Sequence, residues 1–169
     1  MRLLTLSLFV IVFSMSVSGQ YSKTQDSTVV PKIRAKVVYG ELLGSGLIFS
    51  AHYDFRFAKK QNGWGMRAGL GFFGGSGGGI LTVPVGVNHL AGKGPHYLES
   101  GLGFTFASFT GDTDFLDESG SLLFPSVGYR YQPLGKGLVA RVYLGPLVGI
   151  TEGAGWFFWG GFSLGYKLN

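Results

Sequence analysis

The chain contains no cysteine. A disulfide scaffold, a thiolate metal site and a thiol nucleophile are therefore excluded, and so is anchoring through an acylated N-terminal cysteine. Charge is also scarce. Asp, Glu, Lys and Arg make up 14% of the 169 residues, against about a quarter in an average soluble domain. Past residue 20 no apolar run approaches the ~18 residues of a spanning helix. The net charge is +5, yet Lys59-Lys60 is the only adjacent basic pair. Nucleic-acid binding needs a basic stripe or cluster, so no nucleic-acid partner is expected.

What the chain does have is glycine and aromatics: Gly 30, Phe 15 and Tyr 8. Mean hydropathy is positive at +0.28. A hydrophobic chain without a spanning helix has the composition of a membrane β-barrel. Residues 1–19 read as a secretory signal peptide: Arg2, then the apolar run Leu3 to Phe13, then Val17-Ser18-Gly19 before a cleavage point at Gln20. Residues 20–33 are polar, carry Pro31 and lack periodicity, which suits a flexible lead-in. Residues 34–169 are the length of one domain.

The segment Ile48 to Phe57 sets the pattern. Ser50, His52, Asp54 and Arg56 alternate with Phe49, Ala51, Tyr53, Phe55 and Phe57, the period of two of a strand with one polar and one apolar face. Eight such strands are expected, at about 35–43, 46–57, 63–74, 79–91, 96–107, 121–132, 137–149 and 157–168. Each is roughly ten residues, enough to cross a bilayer at a tilt. Three short connections (58–62, 92–95 and 133–136) would lie at the end carrying both termini. At the other end Gly44-Ser45 suits a two-residue hairpin turn, and Ser108 to Gly120 forms a longer loop.

A soluble barrel alternates too, with its apolar face inward. The content of the polar face argues against that. It is mostly Gly, Ser and Thr with scattered charges, whereas a soluble exterior would be dense in Lys and Glu. Small residues fit a narrow eight-stranded interior. Tyr53, Trp64, Tyr97, Tyr131, Trp156 and Tyr166 lie near strand ends, as aromatic girdles do. The facing of the first strand is unresolved, because Lys36, Tyr39 and Glu41 do not share one parity.

Residues 37–168 also resemble the small outer-membrane β-barrel proteins of Gram-negative bacteria. The carriers are Gly46 to Phe57, Leu81-Thr82-Val83-Pro84-Val85-Gly86-Val87-Asn88, Phe124-Pro125-Ser126-Val127-Gly128-Tyr129-Arg130-Tyr131, and Gly161-Phe162-Ser163-Leu164-Gly165-Tyr166. The resemblance implies an eight-stranded outer-membrane barrel without assigned enzyme activity, whose partners are outer-membrane lipid and the outer-membrane insertion machinery. Such barrels often end in an aromatic that this machinery reads. This chain departs from that, ending Lys167-Leu168-Asn169.

Several constellations invite chemistry. Asp54, Arg56, Arg67, Asn88, Glu99, Arg130, Arg141 and Lys167 all carry inward parity. Up-and-down topology puts them in the half of the lumen nearer the termini. Unpaired buried ions are costly, so a mutually neutralising plug is expected; the alternative is a gate or anion site, since the cations outnumber the carboxylates. Ser50 and His52 share a face and suggest a Ser–His pair. They faintly resemble, in reversed order, the His-x-Ser strand motif of outer-membrane lipid A deacylases. A hydrolase also needs an acid to orient the histidine; Glu41 would lie diagonally across the first hairpin if Gly44-Ser45 fixes its register. Phe73, Phe124, Leu147 and Trp159 share inward parity near the other end and would line or fill the upper lumen.

Other features are blander. Gly69-Leu70-Gly71 and the glycines of 74–79 lack the Lys-Ser/Thr of a phosphate loop. The acidic residues Asp112, Asp114, Asp117 and Glu118 do not have EF-hand spacing. His89 and His96 lack a third ligand, so no metal site is expected.

The sequence thus predicts an all-β fold, an eight-stranded antiparallel up-and-down transmembrane β-barrel in the outer membrane. Its expected role is structural or interactive, without a cofactor or open pore. A lipid-modifying hydrolase using Ser50 and His52 is the alternative. A soluble secreted barrel that binds a hydrophobe is a further one.

Overall fold

The computed structural model describes residues 33–75, 78–111, 119–150 and 155–169. The expected signal peptide, the lead-in up to residue 32 and the four acidic loop residues lie outside the described residues. Eight strands follow in order: β1 (Lys36–Leu43), β2 (Phe49–Arg56), β3 (Gly63–Gly75), β4 (Gly78–Ala91), β5 (His96–Gly111), β6 (Ser119–Tyr131), β7 (Gly137–Gly149) and β8 (Trp156–Lys167). Each pairs antiparallel with the next, and β1 pairs with β8 to close the barrel. Closure leaves no open sheet edge.

Alternation sends each strand's two rows to opposite sides of the wall. On β3, Trp64, Leu70 and Phe72 face out at 60%, 64% and 66% exposure, while Gly65, Arg67 and Gly71 face in. The interior holds Arg56, Arg67, Arg130 and Arg141, none more than 2% exposed. This inverts the usual arrangement, in which arginine is almost never fully buried unless paired.

On β1 the odd positions point inward: Val37, Tyr39 and Glu41 are buried, while Lys36, Val38 and Leu42 face out. The two rows have similar hydrophobicity because Val37 and Tyr39 pack inside the lumen against Val139.

Three expectations need correction. The β1–β2 connection is not a two-residue hairpin. Leu43 donates its N–H to the Ile48 carbonyl at 2.8 Å, and Gly44–Gly46 form a single 3₁₀ turn that is buried in the barrel mouth. Leu43 and Leu47 flank it at positive φ, 61° and 73°. Tyr97 belongs to no outer girdle; it lies inside the lumen, 3% exposed. Phe73 keeps its inward parity but stands 54% exposed, because β2–β3 pairing stops at Gly71 while β3 continues to Gly75 with β4 alone.

Candidate functional site

The lumen is the one place where polar chemistry concentrates among the described residues. Glycine makes room for it. Arg56 sits in register with Gly65, Arg67 with Gly86, His52 with Gly69, and Tyr39 with Gly165. Tyr143 has glycine on both sides, Gly128 and Gly161. A Cβ at Gly65 would collide with the Arg56 guanidinium, and one at Gly128 with Tyr143. Eight strands enclose only enough space for side chains to fill. Arg56, Arg67, His52, Tyr39 and Tyr143 thus each gain room from a neighbour with no side chain, whereas Arg130 and Arg141 lie in register with each other.

Asp54 and Glu99 anchor the ion network. Asp54 accepts from Arg56 at 2.5 Å and from Arg130 at 3.1 Å. Arg141 binds Glu99 through two bonds, of 3.0 and 2.8 Å. Asn88 joins the two halves: its Nδ2 donates to Asp54 at 2.8 Å and to Glu99 at 2.9 Å, while its Oδ1 accepts from Arg56 at 2.7 Å. Arg130 also lies 3.5 Å from Glu99, and Arg67 4.0 Å. Seven of the eight residues proposed from parity thus meet in one network.

Lys167 does not meet them. Its Nζ donates to the carbonyls of Pro133 and Leu134 at 2.7 and 2.6 Å, which ties the end of β8 to the β6–β7 turn. Inward parity near the termini was the reason to group it with the others. Its long stem carries the ammonium to the rim instead.

Sequence reasoning missed how far the network extends toward the other end. Arg141 reaches up to Glu41 at 3.9 Å. Its guanidinium lies between the rings of Tyr39 and Tyr143, 4.6 and 5.0 Å from their centroids, and Tyr39 stacks on His52 at 4.9 Å. Cation–π contact with tyrosine stabilises a desolvated guanidinium by roughly 2 kcal/mol. The hidden signal was the parity of Glu41 and Tyr39, which the ambiguity of β1 obscured. Four guanidinium groups face three carboxylates, Glu41, Asp54 and Glu99.

Ser50 and His52 do meet: Ser50 Oγ lies 2.8 Å from His52 Nε2. Glu41 Oε1 approaches the same nitrogen at 3.5 Å, and Nδ1 has no protein partner. In a catalytic triad serine and acid address opposite ring nitrogens. Here both address one.

Above this layer lies the in-folded turn, buried among β4, β5 and β8. Its carbonyls at Gly44, Ser45 and Gly46 accept from Trp159 Nε1 (2.9 Å), Thr105 Oγ1 (2.6 Å) and Thr82 Oγ1 (3.1 Å). Glu41 accepts from Ser45 Oγ at 3.0 Å and from the Gly46 N–H at 3.3 Å. Phe124, Leu147 and Tyr143 form a buried apolar cluster, with Trp159 and Leu47 packed on it. Of the four expected upper-lumen residues, three gather here and Phe73 stays out.

His89 and His96 go to separate aromatic neighbours on the outer wall. His89 packs on Trp64, and His96 hydrogen-bonds Tyr129. Among the described residues no cluster of three or more His, Asp or Glu is placed to hold a metal ion.

No protein-family model matches the chain, and no curated protein matches it in sequence. Among solved structures it is similar to the N-terminal β-barrel domain of OprF from Pseudomonas aeruginosa, with a TM-score of 0.50 and 11% identity over 80% of this chain and 96% of that one. The likeness is one of fold: the chain is an all-β, closed, eight-stranded antiparallel barrel.

Proposed function

We propose that the chain is an integral outer-membrane β-barrel with a structural or interaction role, whose lumen is filled by its own side chains and leaves no open pore. One observation carries this reading. The buried face bears four arginines and three carboxylates, while the exposed face bears most of the leucines and phenylalanines, with Trp64 and Trp156. Monomeric soluble proteins rarely expose apolar patches beyond about 300–600 Å², and this apolar band surrounds the barrel. Lipid is the medium in which such a surface is stable, and a closed barrel can span it because no sheet edge is left open. Tyr53, Trp64, Tyr131, Trp156 and Tyr166 on the exterior suit the two interfaces.

On this reading residues 1–19 direct export. Fractionation of expressing cells tests location. The protein is expected with outer membranes, extractable only by detergent, with heat-modifiable gel migration; recovery as a soluble periplasmic monomer overturns the reading. Reconstituted vesicles should not swell in small sugars, because the charge network and in-folded turn fill the bore.

We read the barrel as non-enzymatic. The Ser50–His52 hydrogen bond keeps a lipid hydrolase as a second reading, against which stand the single shared nitrogen and the full burial of Ser50. Ser50→Ala should leave the lipid A profile unchanged by mass spectrometry; an altered acyl pattern would promote the hydrolase.

A further inference from the structure

Three prolines sit inside strands: Pro84, Pro125 and Pro146. Proline cannot donate to the ladder and is normally confined to edges and bulges. The β6–β7 pairing runs through Leu123↔Val148, stops, and resumes at Val127↔Leu144. The register is the same on both sides of the break, which sets Pro125 opposite Pro146. Two residues without an N–H face each other in mid-wall, and three successive pairs are lost. At Pro84 the break is shorter, and a glycine, Gly69, stands opposite.

The break coincides with a notch of about 350 Å³ in the outer surface. Its outer lip is Pro125, Pro146 and Phe158, with Ser100 at one side. Its floor is made by Gly101, Ser126 and Gly145, which carry the inward parity of their strands. The depression reaches their backbone between the outward side chains of Ser100, Pro125, Pro146 and Phe158.

We propose that this notch is a binding site for one acyl chain of a bilayer lipid. The inference rests on the membrane reading given above. No charged side chain lines the notch, so a headgroup or a charged peptide finds no complement there. The notch is continuous with the apolar band through Val127, Leu144 and Phe158, all exposed. A second protein would need about 20–30 residues on each side of a stable interface; the notch offers nine. Its lining comes from β5, β6, β7 and β8 and is uncharged throughout, which suits a flexible hydrocarbon chain.

The test uses the full mature chain in phosphatidylethanolamine vesicles doped with a phosphatidylethanolamine that carries a diazirine on one acyl chain. After photolysis, cross-linked peptides are mapped by mass spectrometry. Label should concentrate several-fold at 100–101, 125–127, 144–146 and 158 over ordinary wall positions such as Phe104 and Phe162. Pro125→Val with Pro146→Val restores both N–H groups and should abolish the enrichment. Ser100→Trp, at an exposed position that leaves the ladder untouched, should do the same by filling the notch from outside. Even labelling around the wall, or enrichment that survives Ser100→Trp, overturns the proposal while leaving the barrel in the membrane. Absence of label from the whole wall overturns the membrane reading, and the proposal with it.

Discussion

Arg141 and Glu99 are joined by two parallel hydrogen bonds in the middle of the lumen, Nε to Oε2 and Nη2 to Oε1. Fork-to-fork pairing of this kind is stronger and more directional than a single contact. Glu99 also faces Arg130, Arg67 and Asn88, so it is the carboxylate on which most of the positive charge depends.

Glu99→Gln should therefore be far more damaging than an average substitution. Removing one partner of a buried ion network leaves the remaining charges uncompensated, at a cost of about 3–5 kcal/mol. The urea midpoint of the heat-modifiable species, followed by gel shift, should fall accordingly. Glu99→Leu combined with Arg141→Met should recover part of the loss, because similarly sized apolar groups often replace a buried pair without penalty.

Lys167→Met should behave differently. It removes two hydrogen bonds to turn carbonyls and no ion pair. Bonds to a charged donor contribute about 1.5–3 kcal/mol each, and Lys167 is fully covered at its place beside the turn. Because Lys167 shares no partner with Glu99, the two substitutions should be additive within about 0.5 kcal/mol in a double-mutant cycle. Marked coupling would return Lys167 to the network.

Gly65→Val should prevent assembly, since its Cβ would occupy the position of the Arg56 guanidinium and press on the Phe55 carbonyl. Gly135→Ala, in the β6–β7 turn with open space around it, should change stability by no more than about 0.5 kcal/mol. The folded, fast-migrating band is expected to vanish for the first and persist for the second.

Leu43→Gly should stabilise the barrel. Leu43 holds φ 61° and ψ −146°, close to a region that only glycine occupies readily, at a cost of about 1–3 kcal/mol for other residues. Its side chain is 46% exposed, so its loss forfeits little packing. A raised urea midpoint is the expected result. A lowered one would mean that the leucine side chain holds the turn inside the mouth.

The outline of this fold was legible because period-two alternation is a local property, which β2 carries cleanly and most other strands carry in part. β1 did not: Val37 and Tyr39 are apolar on the inner face, so polarity no longer labelled the side. The members of the charge network followed from parity plus strand direction. Its connections did not, because they depend on how far a side chain reaches. Lys167 extends to a rim carbonyl, whereas Arg141 reaches Glu41, Tyr39 and Tyr143. The in-folded turn was hidden for another reason. Gly44-Ser45 satisfies hairpin chemistry locally, and the donors that draw it inward, Trp159, Thr105 and Thr82, lie on distant strands. Pro125 and Pro146 were visible as residues, but only the register shows that they face each other.

The glycines of the lumen bear on how the strands find their places. Alternation forbids a slip of one residue, which would turn every side chain to the wrong face. It permits a slip of two. On the β2–β3 ladder, sliding by two in one direction would set Arg56 against Arg67, and in the other His52 against Arg67, whereas the native alignment gives Arg56 and His52 a glycine each and gives Arg67 to Asp54. On β1–β8 the same slide would take Tyr39 off Gly165 and onto Lys167 or Ser163. Bulk and gap therefore act as a key cut at every second position. They select one stagger among those that the hydrophobic pattern leaves equivalent, and with it the tilt and girth of the closed barrel.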